Sequence, residues 1–271
     1  MSLMRFGPAG YPSSSKNPED ALNIVRELGL DALEIEFVRG VRMSEAKARD
    51  IGEMAVERDI RLSAHAPYYI SFNSDNAETR QKSIAWVMDT VRAANNLGAY
   101  IVVIHAASYG KTPGTATDAV IDGLTKCREM MDDEGIDDVI LGVETMGKTG
   151  VWGTLREISK VMDSVPGTRP VLDVAHVHAR YQGFLKTEKD MRDLVDEFLA
   201  LSGDIAHFHI SCIRYGDKGE ISHLPLSAKE PDMSLLANVL SEYDNDCTFV
   251  CESPLQERDA VVFRDMFHPR S

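Results

Sequence analysis

The stretch Val171-Leu172-Asp173-Val174-Ala175-His176-Val177-His178 contains the pattern from which the fold can be predicted. A short apolar run ends in a carboxylate, and an imidazole follows three residues later. The run predicts a β-strand that presents Asp173 at its carboxyl end, followed by a loop that presents His176. Both side chains can then face the same cavity.

Five other apolar runs end in the same way, each in a side chain of a type that binds metal ions. They lie at 62–65, 101–105, 140–144, 205–209 and 249–252, and their terminal residues are His65, His105, Glu144, His209 and Glu252. Because these side chains occupy equivalent positions on their strands, we interpret them as members of one site.

Segments with helical spacing of apolar residues separate these runs. Together with earlier runs at 5–7 and 32–37, they predict eight β-then-α units with no linker or change of composition between them. Eight such units favour an α/β fold in which a parallel sheet closes into a (β/α)8 TIM barrel. We expect one barrel domain over residues 4–271, and we expect residues 1–3 to be an expression leader.

A barrel places the carboxyl ends of all its strands on one face, where barrel enzymes keep their active sites. The six strand-end side chains should therefore converge. Three histidines and three carboxylates exceed the ligands of one tetrahedral site, so we expect at least two metal ions and a bridging carboxylate. This donor set has no thiolate and suits Zn²⁺, with Mn²⁺ and Fe²⁺ as alternatives.

Two further histidines are candidate ligands on the same face. His176 and His223 are predicted in loops that follow the sixth and seventh strands. His207 is not expected to be a ligand, because we expect it to point to the other side of its strand from His209.

The charge of the chain counts against a nucleic-acid substrate. There are 29 basic and 43 acidic side chains, which give a net charge of −14. This is the wrong sign for non-specific binding to phosphate. Bound divalent cations would supply positive charge at the point where a phosphate must lie.

The four cysteines show neither a disulfide framework nor a paired zinc motif. The sequence also contains no apolar run of about 18–20 residues and no signal-peptide pattern. We therefore expect a cytoplasmic monomer that does not enter a membrane.

The strand-end residues resemble those of endonuclease IV, the metal-dependent apurinic/apyrimidinic endonuclease family among the xylose-isomerase-like TIM barrels. The resemblance covers essentially the whole chain. It is carried by the segments 63–68 (SAHAPY), 103–105 (VIH), 142–145 (GVET), 172–176 (LDVAH), 208–210 (FHI) and 251–254 (CESP).

The resemblance implies a cluster of two or three Zn²⁺ ions and cleavage of double-stranded DNA 5′ to abasic sites, as in base-excision repair. One zinc would be held by His65, His105 and a bridging Glu144, a second by Glu144, Asp173, His209 and Glu252, and a third by His176 and His223. Glu144 and Glu252 are the candidate catalytic residues. Arg42 and Tyr68 are similar to the residues that enter the DNA groove and press on the abasic nucleotide.

Several positions depart from the pattern of that family. An aspartate is expected two residues before the second loop histidine, but Ile221 occupies this position. Glu220 and Asp217 are the nearby carboxylates that can substitute. The aspartate that usually follows the first loop histidine is Ala66, and Pro8 lies where a histidine is common. These departures suggest a divergent member.

A sugar isomerase or epimerase of the same superfamily is the alternative interpretation. Such enzymes hold one divalent metal through four side chains, which Glu144, Asp173, His209 and Glu252 match. Glu144 and Glu252 would then act as paired acid and base at the carbon next to a carbonyl. Since one metal leaves His105, His176 and His223 without a role, we favour the phosphodiester hydrolase. A non-enzymatic sensor of metal or sugar is the third possibility.

Overall fold

The computed structural model describes residues 3–267, so Met1, Ser2 and residues 268–271 lie outside the described residues. These six positions include most of the expected leader and the end of the expected domain. The strands are β1 (Met4–Pro8), β2 (Ala32–Glu36), β3 (Arg61–His65), β4 (Ile101–Ile104), β5 (Ala107–Ser108), β6 (Ile140–Glu144), β7 (Val151–Trp152), β8 (Thr168–Asp173), β9 (Ile205–Ile210), β10 (Cys212–Gly216), β11 (Gly219–Leu224) and β12 (Asp246–Cys251).

Nine α-helices accompany these strands in the described part of the chain. They are α1 (Pro18–Glu27), α2 (Glu45–Glu57), α3 (Ala77–Leu97), α4 (Ala116–Asp133), α5 (Leu155–Met162), α6 (Val174–Arg180), α7 (Glu188–Ser202), α8 (Met233–Leu240) and α9 (Glu257–Phe267). Short 3₁₀ helices lie at Pro113–Thr115 and Leu226–Ala228. None of the helices between residues 3 and 267 is long and apolar enough to cross a membrane.

Eight parallel strands form the sheet, in the order β1-β12-β9-β8-β6-β4-β3-β2. The edge strands β1 and β2 meet at a parallel bridge between Ala9 and Glu34. The Gly10 N–H donates to the Glu34 carbonyl at 3.0 Å across the same seam. The sheet therefore forms a nearly closed barrel, and the predicted (β/α)8 fold is confirmed.

Local sequence signals begin and end the outer helices. The Asn17 side chain caps α1 by accepting from the Asp20 N–H at 2.9 Å. The Asn76 side chain caps α3, which ends at Gly98 in the left-handed conformation (φ 65°). The apolar faces of the helices pack on the outer side of the barrel strands, and this layer forms the main hydrophobic core.

Two elements on the carboxyl face were not predicted. The loop expected after Asp173 is the helix α6, because the Asp173 side chain accepts from the His176 N–H at 2.6 Å and caps it. The loop expected to contain His223 is a β-hairpin of β10 and β11. His176 and His223 are therefore held on regular elements instead of loops.

We predict that the seam between β1 and β2 depends on Gly7. A Cβ at this position would lie 1.7 Å from the Ala32 carbonyl oxygen, so Gly7→Ala must push the two strands apart. Overpacking of this kind costs about 1–3 kcal/mol, and we expect at least that loss of unfolding free energy in urea. The control is Gly114→Ala, because a Cβ there meets nothing within 4 Å. A Gly7→Ala protein as stable as the Gly114→Ala protein would contradict this prediction.

Candidate metal centre

The carboxylate of Glu144 lies at the centre of the carboxyl face. Its Oε2 atom is 2.7 Å from His105 Nε2, 3.3 Å from His65 Nε2 and 3.5 Å from His209 Nδ1. Its Oε1 atom is 2.9 Å from His176 Nδ1. Glu144 is buried at the end of β6, so four imidazoles surround one carboxylate out of contact with bulk water.

Backbone carbonyl groups orient three of the histidines. The Nδ1 atoms of His65, His176 and His223 lie 2.7, 3.0 and 3.2 Å from the carbonyl oxygens of Ala66, Thr145 and Glu252, respectively. A carbonyl oxygen only accepts, so each Nδ1 carries the proton. The Nε2 lone pair of each ring is left to face the cavity, which is the arrangement that a metal ligand needs.

His209 has the opposite orientation. Its Nδ1 atom faces the cavity, 3.3 Å from Glu252 Oε1 and 3.5 Å from Glu144 Oε2. Its Nε2 atom points into the barrel, 3.1 Å from Glu34 Oε1. The neighbour of this nitrogen is therefore a carboxylate that lies below the site.

The donor atoms fit divalent cations. Ligand atoms lie within 4.8 Å of one another in three groups at the barrel mouth: His65 with His105 and Glu144; Glu144 with Asp173, His209 and Glu252; and Asp173 with His176 and His223. Glu144 Oε1, Asp173 Oδ2 and His209 Nδ1 are buried and make no hydrogen bond of good geometry among the described residues, although polar atoms of the site lie 2.9, 3.4 and 3.3 Å from them, respectively. Buried polar atoms are rarely left in this state, and bound metal ions would satisfy them.

The electrostatics of the site also favour bound cations. Burial raises the pKa of Glu144, but His105 and His209 outweigh it and hold that pKa well below its usual range. Burial lowers the pKa of His65, whereas Glu36 and Glu144 raise it to about 10. In the metal-free site His65 therefore carries a proton on Nε2 as well, and metal uptake would release it.

Ile221 occupies the position where an aspartate was expected, and the carboxylate of the preceding residue faces the cavity. The Ile221 side chain is 55% exposed, whereas its neighbour Glu220 lines the cavity. Glu220 Oε2 is 3.5 Å from His176 Nε2, which in turn is 3.3 Å from His223 Nε2. Gly147 makes this approach possible, because a Cβ there would lie 2.8 Å from the Glu220 Cβ. Of the two carboxylates near Ile221, Glu220 and not Asp217 lines the cavity beside His176 and His223.

Tyr68 and Arg42 line two neighbouring cavities. Tyr68 lines the metal cavity of about 590 Å³, and its ring lies 6.4 Å from that of His105 at an interplanar angle of 30°. Arg42 lines a cavity of about 450 Å³ beside it, together with Arg39 and Lys47. Glu36 borders both cavities.

The predicted direction of the His207 side chain was wrong. Residues two apart on a strand point to the same side, so His207 faces the barrel interior as His209 does. Its Nε2 atom lies 3.2 Å from Glu34 Oε2. Glu34 and Glu36 were not predicted as residues of the site, although strand β2 ends in an acidic residue as β6 and β8 do.

Comparison with known proteins gives the same fold and two kinds of relative. The family model described as "Xylose isomerase-like TIM barrel" matches residues 22–265. An uncharacterized protein of Methanocaldococcus jannaschii is 31% identical over 98% of this chain and 97% of its own length. A Mycobacterium tuberculosis protein named "Probable endonuclease 4" is 25% identical over 92% of this chain and 96% of its own length.

Solved structures of both kinds superpose on the chain. Endonuclease IV from Thermus thermophilus has a TM-score of 0.74 at 20% identity, covering 98% of this chain and 100% of that one. A D-tagatose 3-epimerase-like protein has a TM-score of 0.73 at 20% identity, covering 98% and 96%. At this identity the likeness concerns the fold alone.

We predict that Glu220→Gln removes about one bound divalent cation per chain, because it removes a carboxylate charge that lies 3.5 Å from His176 Nε2, the cavity-facing nitrogen of that ring. The measurement is elemental analysis of protein that has been loaded with Zn²⁺ and passed through a desalting column. Ile221→Ala is the matched control, since this neighbouring side chain points to solvent. Equal metal content in the two variants would count against a role for Glu220 in metal binding.

Proposed function

Because the chain belongs to the xylose isomerase-like TIM barrel family, we propose that it is a metal-dependent phosphodiester hydrolase. Its substrate would be double-stranded DNA, cleaved 5′ to an abasic site, and its cofactor would be two or three Zn²⁺ ions. The sequence relatives named endonuclease 4 support this assignment over most of the chain.

The observation that carries the proposal is the number of donor groups at the barrel mouth. One divalent metal would use Glu144, Asp173, His209 and Glu252. His105, His176, His223 and Glu220 would then have no metal to bind, although their donor atoms lie in contact with that set or with one another. A cluster of metals gives every donor a role, and such clusters suit attack on a phosphodiester.

The residues of the chain have distinct roles in this proposal. The bound cations would lower the pKa of a water molecule and stabilise the charge that develops on the phosphate. Glu144 belongs to two donor groups, one with His65 and His105 and the other with Asp173, His209 and Glu252, and so can bridge two sites. Tyr68, 56% exposed beside His105, offers a ring against which an abasic nucleotide can lie.

Local positive charge offsets the acidity of the chain near the site. Arg39, Arg42 and Lys47 line the cavity next to the metal cavity, and Lys148 lines the metal cavity itself. These cations can contact phosphates on either side of the lesion. The net charge of −14 then limits non-specific binding to undamaged DNA.

A sugar isomerase or epimerase is the second candidate, because the group of Glu144, Asp173, His209 and Glu252 alone can hold one metal. In that case Glu144 and Glu252 would act as paired base and acid that remove and return a proton at the carbon next to the carbonyl group of a ketose. The superposition on a D-tagatose 3-epimerase-like protein is compatible with this chemistry.

One experiment separates the two candidates. Protein loaded with Zn²⁺, Mn²⁺ or Fe²⁺ is incubated with a labelled duplex that contains one abasic site, and in parallel with a panel of ketohexoses. Cleavage 5′ to the lesion with two or three metals per chain supports the hydrolase. Epimerised sugar with one metal per chain, and no cleavage, would replace the hydrolase with the epimerase.

We predict that Glu144→Gln abolishes cleavage more than it weakens DNA binding. The amide removes the charge that bridges two groups of histidines but leaves the surface of the protein unchanged. We expect a fall in kcat of at least about 100-fold, which is about 2.7 kcal/mol, with the DNA Kd changed by less than about threefold. Single-turnover cleavage and fluorescence anisotropy measure the two quantities, with the exposed Glu129→Gln as control. Near-full activity in Glu144→Gln would remove it from the mechanism.

We predict that Arg42→Ala weakens binding to abasic DNA and leaves the metal content unchanged. Loss of one phosphate contact should lower the slope of log K against log salt by about one. Binding is measured by anisotropy at several salt concentrations. The control is Arg49→Ala, an exposed arginine on α2 that contacts Asn96 and Glu45. If both variants bind DNA as the wild type does, Arg42 is not a DNA contact.

A further inference from the structure

A second polar cluster lies inside the barrel, below the metal centre. Glu34 is fully buried on β2, and its carboxylate lies between His207 and His209. The Ser63 hydroxyl donates to Glu34 Oε2 at 2.7 Å. None of the roles assigned so far uses Glu34 or His207, yet an isolated buried carboxylate is costly unless its partners stabilise it.

Two further side chains approach this cluster from the side of the barrel. The Tyr100 hydroxyl lies 2.5 Å from His207 Nδ1. The Arg61 guanidinium lies 5.6 Å from the centroid of the Tyr100 ring and donates to the Thr248 hydroxyl at 3.0 Å.

The contact with Glu34 determines which nitrogen of His207 carries the proton. A carboxylate can only accept, so Nε2, which lies 3.2 Å from Glu34 Oε2, carries it. Nδ1 is then left to accept from the Tyr100 hydroxyl.

The same argument applies to His209 from the other side of Glu34. Its Nε2 atom, 3.1 Å from Glu34 Oε1, faces an acceptor and must carry the proton. Both imidazoles approach the carboxylate away from ideal hydrogen-bond directions. The Nδ1 atom of His209 faces Glu144 and Glu252, with which it forms a candidate metal group, so a bound cation would take the place of a proton on Nδ1 and leave the proton on Nε2.

We propose that Glu34 is a positioning residue of the metal centre, which holds the Nε2 proton of His209 and so directs the Nδ1 lone pair of that ring toward the metal. Three other histidines of the site do not need such a residue, because a backbone carbonyl group accepts from the Nδ1 atom of each: His65, His176 and His223. His207, Tyr100 and Ser63 keep the Glu34 carboxylate in place and charged. This inference rests on the part of the proposed function that assigns His209 to a metal site.

Two measurements test this role. The first is a long-range ¹H–¹⁵N correlation spectrum of the Zn²⁺-loaded wild-type chain with ¹⁵N-labelled histidine, in which His209 is identified by its loss in His209→Gln. The expected tautomer of His209 has the proton on Nε2 and the metal on Nδ1. A proton on Nδ1 would overturn the proposal without the need for any Glu34 variant.

The second measurement is the Zn²⁺ affinity of Glu34→Gln, determined by competition with a chelator. Loss of a carboxylate that orients a ligating histidine lowers metal affinity about 10–100-fold, and we expect a loss in this range. Asp31→Asn is the matched control, because this carboxylate accepts from the Phe6 N–H at 2.8 Å just before the same strand. It should change stability but not Zn²⁺ affinity.

The outcomes separate this proposal from the proposed function. Wild-type affinity in Glu34→Gln, or an equal loss in Asp31→Asn, would reduce Glu34 to a structural residue. A selective loss in Glu34→Gln together with no cleavage of abasic DNA would retain the positioning role and reject the hydrolase. Failure of the wild-type chain to bind Zn²⁺ would reject the metal centre and, with it, this role.

Discussion

The burial of the Glu144 carboxylate among four imidazoles is the interaction on which the carboxyl face depends. Its neighbours are His65, His105, His176 and His209, and a carboxylate at this depth is stable only if positive charge lies nearby, from protonated imidazole or from metal ions. Each of these histidines comes from a different element, so the charge requirement of one side chain draws together parts of the chain that are far apart in sequence. The barrel supplies the common face, and Glu144 supplies the reason for the histidines to share it.

Much of this arrangement could be predicted from the sequence, because a parallel barrel converts strand-end positions into neighbours. The features that were not predicted depend on the direction of side chains and on local helix capping. His207 was assigned to the wrong side of β9, although the period of two alone would have corrected this. The helix α6 has only seven residues, and its start depends on a hydrogen bond from the Asp173 side chain that no periodicity records. Glu34 carried a usable signal, since it alternates with apolar neighbours on β2, but its partners on β9 follow only from the closure of the barrel.

The two candidate chemistries differ at the rim rather than in the barrel. The four donors that one metal needs lie at or beside the ends of β6, β8, β9 and β12, which are rigid parts of the sheet. The donors that distinguish a larger cluster include His223 and Glu220, both on the hairpin of β10 and β11. This hairpin contacts the loop after β6 through a bridge between Lys148 and Gly219. A change in this hairpin would therefore alter two donors of the larger cluster while the four donors on the sheet stay in place.

Asp173 joins the metal centre to the framework through its two oxygens. Oδ1 accepts from the first turn of α6, while Oδ2 faces the cavity and makes no hydrogen bond of good geometry among the described residues. Aspartate is a preferred N-cap, whereas glutamate and histidine are not. Those longer side chains could still offer a donor atom, but they would leave the helix that carries His176 without its cap. The evolutionary freedom to exchange ligand types is thus smaller at this position than at the other strand ends, and drift toward a different metal preference would have to begin elsewhere in the site.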